Sequence, residues 1–475
     1  MITAQDVRSS WAIAREHIIH KRFDSAEKIL DLLYSKVTHL ELALDYANVL
    51  MKLKKFTEAQ VVIDRGLTKY PIEQRLYALK ASLLYISGKP QDALSLYKML
   101  LADHPENPAY WTNAAYCACL ENHFEDAVEF FQRSEDLITN FPSAWFRNYA
   151  IALLMSKQPK KAISYFEKLA LQSVLDSECW FHYGLAFNLI GDEYQAQNAY
   201  LKALEQDRNH IASLYNLSIL YQRNAQYREA KECWETILSV QPDHILAKTL
   251  LDAAMGNSLS QLPLPFVQAL FDQYSFNYDE HLKGILEYTA PAQARSMLMK
   301  HFPDSKPGVV IDLGAGTGVM GRIMRDLATH MTAIDCSAGM LLQARTSQMY
   351  NRYIETDIIE WAAQTEVTAD YFTLIEVTNY LGPITADVLQ NLWKHLNPGG
   401  TIVLTAEALP DTSEQNVALL PTARFAFKEE FFKDISNHLA NSQYVVERMS
   451  IRKHGQDIVD GLYVILKKTE IEKTV

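Results

Sequence analysis

Val309-Val310-Ile311-Asp312-Leu313-Gly314-Ala315-Gly316-Thr317-Gly318 is the stretch that decides how the second half of this 475-residue chain folds. An apolar run ends in an acid, and a cluster of glycines follows at once. That order reads as a buried strand feeding a tight turn and then a helix. Glycines let a backbone approach a ligand with no Cβ in the way. The helix that follows would point free N–H groups at whatever sits there. The expected occupant is a flat, charged small molecule of the nucleoside class.

Working outward, Gly316, Gly318 and Gly321 satisfy G-x-G-x-x-G, a pattern that many nucleotide-binding turns share. In the dinucleotide version the first glycine comes directly off the strand. Here Asp312-Leu313-Gly314 intervenes, which disfavours a nicotinamide-dependent oxidoreductase. A second acid, Asp335, ends the next apolar run Met331-Thr332-Ala333-Ile334, 17 positions beyond Gly318. A carboxylate there is placed to grip ribose hydroxyls from a second strand. Further on, Leu396-Asn397-Pro398-Gly399-Gly400 precedes another apolar run, Thr401-Ile402-Val403-Leu404. The D-x-G-x-G-x-G loop, the acid after strand two and the L-x-P-G-G turn, in this order, resemble a class I methyltransferase that uses S-adenosylmethionine. That resemblance implies an α/β Rossmann-like domain with a seven-stranded, mostly parallel sheet. Its last hairpin strand, 462–467, would be antiparallel, and the cofactor would sit at the carboxyl ends of strands one and two.

The chain is too long for one core, so two domains are expected. A net charge of −12 and a pI near 5.6 argue against a general nucleic-acid binder. The five cysteines, Cys117, Cys119, Cys179, Cys233 and Cys336, have no framework spacing and read as reduced thiols of a cytoplasmic protein. Cys117 and Cys119 point different ways on a helix, a poor metal pair, so no metal site is expected. Met1-Ile2-Thr3-Ala4-Gln5-Asp6 lacks a basic-then-apolar leader pattern, and no apolar run is long enough to span a membrane.

The first half carries a recurrence. Ala26, Ala59, Ala93, Ala127, Ala162, Ala196 and Ala230 follow one another at steps of 33, 34, 34, 35, 34 and 34. Four positions after each stands a bulky apolar residue: Leu30, Ile63, Tyr97, Phe131, Phe166, Tyr200 and Trp234. Pro71, Pro105 and Pro242 close units, and Trp111, Trp145 and Trp180 open them. This resembles the tetratricopeptide repeat. The alanine lets two helices approach, the bulky residue fills the groove beside it, and neighbouring units must stack to bury their apolar faces. About seven repeats are expected over residues 1–256, with a capping helix at 245–255 stopped by Gly256. Asn113, Asn148, His182 and Asn216 recur at one place on successive first helices, the helices that line the concave groove of such arrays. Two readings are open for this ladder: it hydrogen-bonds an extended peptide partner, or it bonds to the adjacent repeat.

Residues 257–265, polar and then proline-bearing, read as a short stiff linker to a domain over 266–475. Phe271-Asp272-Gln273-Tyr274-Ser275-Phe276-Asn277-Tyr278-Asp279-Glu280-His281-Leu282 resembles the leading segment of a bacterial methyltransferase group often fused to tetratricopeptide repeats. Ile451-Arg452-Lys453-His454-Gly455 and Gly461-Leu462-Tyr463-Val464-Ile465-Leu466 resemble that group's closing hairpin. Tyr274 and Tyr278 either cap the sulfonium, a cation that aromatic faces attract, or pack the helix.

The resemblance assigns roles by position. Asp312, Gly314, Ala315, Gly316 and Gly318 would hold the methionine moiety and ribose, and Asp335 the ribose hydroxyls. Cys336 and Met340 would flank the adenine, and Asp357 with Ile358 would meet its amino group. Ile375 ends the fourth strand, facing the methyl group, and Glu376, Asn379 and Tyr380 follow as candidate catalytic residues. Glu376 reads either as a general base or as a carboxylate that orders the loop. His281, Arg424 and His454 are further polar candidates. The segment lacks N/D-P-P-Y, which disfavours the amide and exocyclic-amine methylation that motif serves. The expected function is methyl transfer to a protein substrate that the repeats recruit or orient. Its rivals are a small-molecule or lipid methyltransferase with a scaffolding array, and a non-catalytic adaptor that binds cofactor. The acceptor, the repeat partner and the oligomeric state are not readable from these residues.

Overall fold

The computed structural model describes residues 4–172, 175–257, 259–274, 289–454 and 457–469. The chain forms two compact units, Met1–Asp192 and Glu193–Val475.

The first unit is built from helices alone: α1 (Ala4–Ile19), α2 (Phe23–Lys36), α3 (Leu40–Lys52), α4 (Phe56–Lys69), α5 (Gln74–Ile86), α6 (Pro90–Asp103), α7 (Pro108–Leu120), α8 (Phe124–Leu137), α9 (Ser143–Met155), α10 (Pro159–Leu171) and α11 (Ser177–Leu189). Even-numbered helices carry the recurring alanines of this unit, and every one is fully buried together with the bulky residue four positions on. The seam between repeats is aromatic where those residues are large. Phe131 of α8 meets Trp145 and Tyr149 of α9 at centroid distances of 5.4 and 5.2 Å. Each pair of helices turns on one residue in the left-handed region: Lys21, Lys54, Gly88, Asn122 and Lys157, with Gly191 at the corresponding place after α11. Such a residue ends a helix by redirecting the chain within one position.

The second unit opens with α12 (Glu193–Gln206), α13 (Ile211–Arg223), α14 (Tyr227–Val240) and α15 (Ile245–Ala254). Ala225, left-handed at φ 55°, turns α13 into α14, and Gly256 at φ 73° follows α15. Then comes α16 (Leu264–Tyr274), so the helix starts inside the stretch read as linker; Pro265 sits in its first turn, where a missing N–H costs nothing. Next is α17 (Ala290–His301) and the sheet domain: β1 (Gly308–Leu313), α18 (Val319–Met324), β2 (Ala328–Asp335), α19 (Ala338–Thr346), β3 (Arg352–Glu355), α20 (Ile358–Gln364), β4 (Ala369–Leu374), α21 (Thr378–Leu381), α22 (Thr385–His395), β5 (Leu396–Ala408), β6 (Val417–Leu420), β7 (Arg424–Phe427), α23 (Glu429–His438), β8 (Ser442–His454) and β9 (Asp457–Lys468).

The sheet has nine strands among the described residues, not the expected seven. β3, β2, β1, β4 and β5 are parallel neighbours in that order, and β9 joins β5 antiparallel with β8 beyond it. The two added strands are the short hairpin β6–β7, whose β7 pairs in parallel with Glu407 and Ala408 at the end of β5. Glu407 also pairs with Gly461 of β9, so β7 takes up the edge of β5 where β4 has ended. The L-x-P-G-G turn is an interruption within β5: pairing with β4 passes from Leu396 directly to Thr401. On one face, Ala294, Met297, Leu298, Met320, Met324 and Leu341 from α17, α18 and α19 pack on Val310, Met331, Ala333, Val403 and Ile465. Parallel strands buried this way put their carboxyl ends, and the loops that follow, at one rim of the sheet.

Candidate active site

The loop after β1 is sewn to the end of β2. Gly314 and Ala315 both donate backbone N–H bonds to the Ile334 carbonyl, at 2.8 and 3.0 Å. Gly316 N–H donates to Asp335 Oδ2 at 2.8 Å. Gly314, Gly316 and Gly318 have φ of 70°, 53° and 86°. A Cβ on Gly314 would stand 2.4 Å from Val377 Cγ2, so this glycine is demanded by packing as well as by conformation. Gly321, the third glycine of G-x-G-x-x-G, has a different purpose: its missing side chain makes room for the Tyr350 ring, whose Cζ would be 2.3 Å from a Cβ there. Tyr350 in turn donates to Asp312 Oδ2 at 2.5 Å. The helix after the loop, α18, is only six residues long.

The two acids at the ends of β1 and β2 differ. Asp312 is sealed under the loop, accepting from Tyr350 and, at 2.6 Å, from Thr373 Oγ1. Burial pushes its carboxyl up to about 6, with those two hydrogen bonds and the neighbouring Asp335 as lesser influences. Asp335 opens on the cleft. Burial raises its pKa, and N–H donors from Ser337 and Gly316 work against the rise. Cys336 beside it is pushed up to about 12 by burial, so the thiol stays protonated and serves as apolar wall.

The cleft encloses about 790 Å³, counting space open to solvent. Gly314, Gly316, Asp335, Cys336, Asp357, Ile358, Ile375, Glu376 and Tyr380 line it, so nine residues singled out from the sequence converge. Ala315, Gly318, Asp312, Asn379 and Met340 stand outside the lining. Met340 is fully buried, its N–H capped by Ser337 Oγ at 3.1 Å. Asp357 caps α20, accepting from Ile359 N–H at 3.0 Å. Tyr278 and His281 lie outside the described residues, as do the side chains of Tyr274 and His454.

Of the roof, only Phe271 belongs to the leading segment singled out from the sequence; the part before it was not. Leu264, Val267 and Phe271 of α16, with Gln261 and Leu262 before it, complete the lining. α16 is pinned to the loop after β2: Gln268 Nε2 donates to the Cys336 carbonyl at 3.2 Å, and Ser337 Oγ donates to Asp272 at 2.5 Å. Its apolar period, Leu264-Val267-Phe271, was the available signal.

On the far wall, Glu376 is left-handed at φ 60°. Its carboxylate accepts from Asn379 Nδ2 at 3.1 Å and from Arg452 Nη1. Arg452 also donates to Glu407 Oε2 at 2.5 Å, and Asn379 Oδ1 accepts from Glu407 N–H at 2.9 Å. Arg424 Nε donates to the Tyr380 hydroxyl at 3.2 Å. Burial works against the charge of Arg424, and Tyr380, Glu407 and Glu376 more than offset it, so the guanidinium stays charged. Among the described residues, all the charged ones in the lining are acids, Asp335, Asp357 and Glu376, with Gln261 and Tyr380 as neutral polar company. The Asp335 and Asp357 carboxylates, in no ion pair among the described residues, together with a glycine-bared backbone and an apolar slab of Ile358, Ile359 and Cys336, fit a nucleoside with a cationic tail and repel a pyrophosphate.

The repeat ladder has local partners. Asn148 and Asn216 each donate to the carbonyl one turn back, Ala144 at 2.7 Å and Ala212 at 2.9 Å. His182 stands 3.2 Å from Glu178, one turn away. Asn113 reaches the Tyr97 hydroxyl of the preceding repeat.

The pattern of a methyltransferase domain family matches residues 311–402. The C-terminal half carries a methyltransferase domain. Tetratricopeptide-repeat patterns match residues 78–144, 177–210 and 199–232, so repeats precede it. A malonyl-[acyl-carrier protein] O-methyltransferase of Pseudescherichia vulneris is 28% identical over 178 residues, 36% of this chain and 67% of that one. A trans-aconitate 2-methyltransferase of Rhodopseudomonas palustris is 31% identical over 162 residues, 33% of this chain and 59% of that one. Across three matching malonyl-[acyl-carrier protein] O-methyltransferases, the chain spans 55% to 67% of their length. Among solved structures, the N-methyltransferase NodS of Bradyrhizobium japonicum in complex with S-adenosyl-L-homocysteine aligns with 43% of this chain and 98% of that one, at 18% identity and a TM-score of 0.33. No helix among the described residues is long and apolar enough to cross a membrane.

Proposed function

We propose that the chain is a class I S-adenosylmethionine-dependent methyltransferase acting on an acceptor borne by a protein, which its repeats recruit. The observation that carries this reading is the convergence of the glycine loop, Asp335 and the Asp357–Ile358 corner on one acid-lined cleft. Asp335 would take the ribose hydroxyls, Gly314 and Gly316 would present bare backbone, and Ile358, Ile359 and Cys336 would flank the base. When bound, the sulfonium supplies an activated methyl group. The residues' task is to align the acceptor in line with it and to exclude water. α16 does the excluding, pinned through Gln268 and Asp272. Glu376 has Arg452 and Asn379 on its two oxygens, which makes it a positioning residue for the Asn379–Tyr380 corner.

The acceptor part rests on two supports. Three relatives are named for a substrate carried on a protein. Within the second unit, the last repeats also touch the catalytic sheet: Gln222 of α13 donates to the Pro421 carbonyl in the β6–β7 turn at 2.8 Å, and α15 packs on β6 and α16. A partner held there would be delivered beside Tyr380. The relative named for trans-aconitate supports a second reading, a small-molecule acceptor. Because the five cysteines are free thiols, we assign the reaction to the cytoplasm, and 1–256, 257–265 and 266–475 remain our division into array, linker and enzyme.

Calorimetric titration with S-adenosylhomocysteine tests the cofactor. We expect micromolar binding, lost in Asp335→Ala, and none for NADH. Equal binding to the variant, or preference for NADH, sinks the reading.

A further inference from the structure

We propose that the group methylated is a carboxylate, held by Arg424 and Tyr380 beside the cleft. This rests on the methyltransferase reading above and names its acceptor class.

Arg424 is the first residue of β7 and is half-buried. Its Nε is spent on Tyr380, and among the described residues its Nη1 and Nη2 have neither hydrogen-bond nor ion-pair partner. The carboxylates that could have collapsed onto it, Glu376 and Glu407, are both taken by Arg452. Tyr380 lines the cleft and accepts from Arg424, and its own O–H proton has no acceptor among the described residues. A forked cation and a phenol donor therefore share one corner with unused donors. Such a pair suits a planar carboxylate, which takes parallel N–H bonds from a guanidinium. The position is built in: Gly382, at φ 65°, leaves the space that the Phe425 ring fills, and a Cβ there would be 2.6 Å from that ring. β7 and its arginine are thus held against the α21–α22 corner.

The acids of the cleft point to the same class. An amine or alcohol acceptor must lose a proton, and among the described residues no lining acid is placed to take it. Asp335 is bound by two backbone N–H groups, Asp357 caps α20, and Glu376 is paired. A carboxylate is already ionised at neutral pH and needs no base. In the step, one of its oxygens donates a lone pair to form the C–O bond to the methyl carbon. The C–S bond breaks, its electron pair stays on sulfur as the neutral thioether, and no proton moves. The ester produced is uncharged, so it loses its ionic hold on Arg424 and leaves.

The experiment titrates malonate, a simple carboxylate probe, into the full chain saturated with S-adenosylhomocysteine, and separately follows labelled methyl transfer into a cell extract. Arg424→Met should weaken malonate binding about tenfold to a hundredfold and leave S-adenosylhomocysteine affinity unchanged, with Arg424→Lys intermediate. That unchanged affinity also shows that the variant is folded. Label on the acceptor should be released as methanol by mild alkali, as methyl esters are. Failure of the wild type to bind malonate, equal binding by Arg424→Met, or alkali-stable label overturns the proposal. Failure to bind S-adenosylhomocysteine at all would instead overturn the reading on which it rests.

Discussion

The repeat turns and the cleft loop both need left-handed residues, and they fill that need differently. In the first unit the turn position is occupied by lysine, asparagine or glycine without distinction. A Cβ added at Gly88 or Gly191 meets nothing within 4 Å, so only the intrinsic cost of the conformation matters there. In the loop after β1 every left-handed position is glycine, and a Cβ at Gly314 would strike Val377. The lesson is that glycine in a repeat turn is a convenience, while glycine at the cleft is forced by what must fit beside it.

Substitutions can break that contrast. Gly314→Ala should be the most damaging, at about 2–5 kcal/mol, because an unfavourable φ adds to an overpacked contact with Val377. Urea unfolding measures it, and a loss under 1 kcal/mol would mean the loop has slack that the packing does not show.

Next in size is a pH effect at the acid beneath the loop. Asp312 is raised to about 6 from 3.8. Its folded-state pKa lies above the unfolded one, so its contribution is fully present below about pH 4 and is lost as pH rises through 6. Relative to Asp312→Asn, the wild type should therefore lose about 3 kcal/mol of stability between pH 4 and pH 7. A flat difference across that window in paired unfolding curves would show that Asp312 titrates normally.

Gly88→Ala tests the other side of the comparison. It should cost only about 1–2 kcal/mol, since the new methyl group has open space. A cost equal to that of Gly314→Ala would erase the distinction. Smallest of all, exposed Ala225→Gly should stabilise by about 0.5–1 kcal/mol by relieving a left-handed alanine, read as a rise in melting temperature. A fall would mean that the extra freedom of the unfolded chain outweighs the relief.

Much of the molecule was legible before any coordinates. The alanine and the bulky residue four places on mark each second helix because a close helix contact and its filler must recur with every unit, and all fourteen are buried. The glycine loop, the acid after β2 and the parallel strands were legible because each is a local transition from apolar run to turn. Other features carried no local signature. The β6–β7 hairpin is too short and too weakly alternating to announce itself, so the sheet has nine strands where seven were expected. The helix start at Leu264 was hidden by two prolines that read as linker.

What the amino-acid sequence determined by itself is therefore the periodic array, the succession of apolar runs that become the parallel strands and the acids that end them, all set by patterns within a few dozen residues. Only the tertiary structure decided which side chains are spent and which remain open. Tyr350 reaches Asp312 across 38 residues, Arg452 reaches Glu376 across 76, and Gln222 reaches Pro421 across 199. Those pairings have no period and no fixed spacing. They exist because folding brings strand ends to one rim, where charges removed from water must find partners. That competition occupies Glu376 and leaves Arg424 with donors to offer.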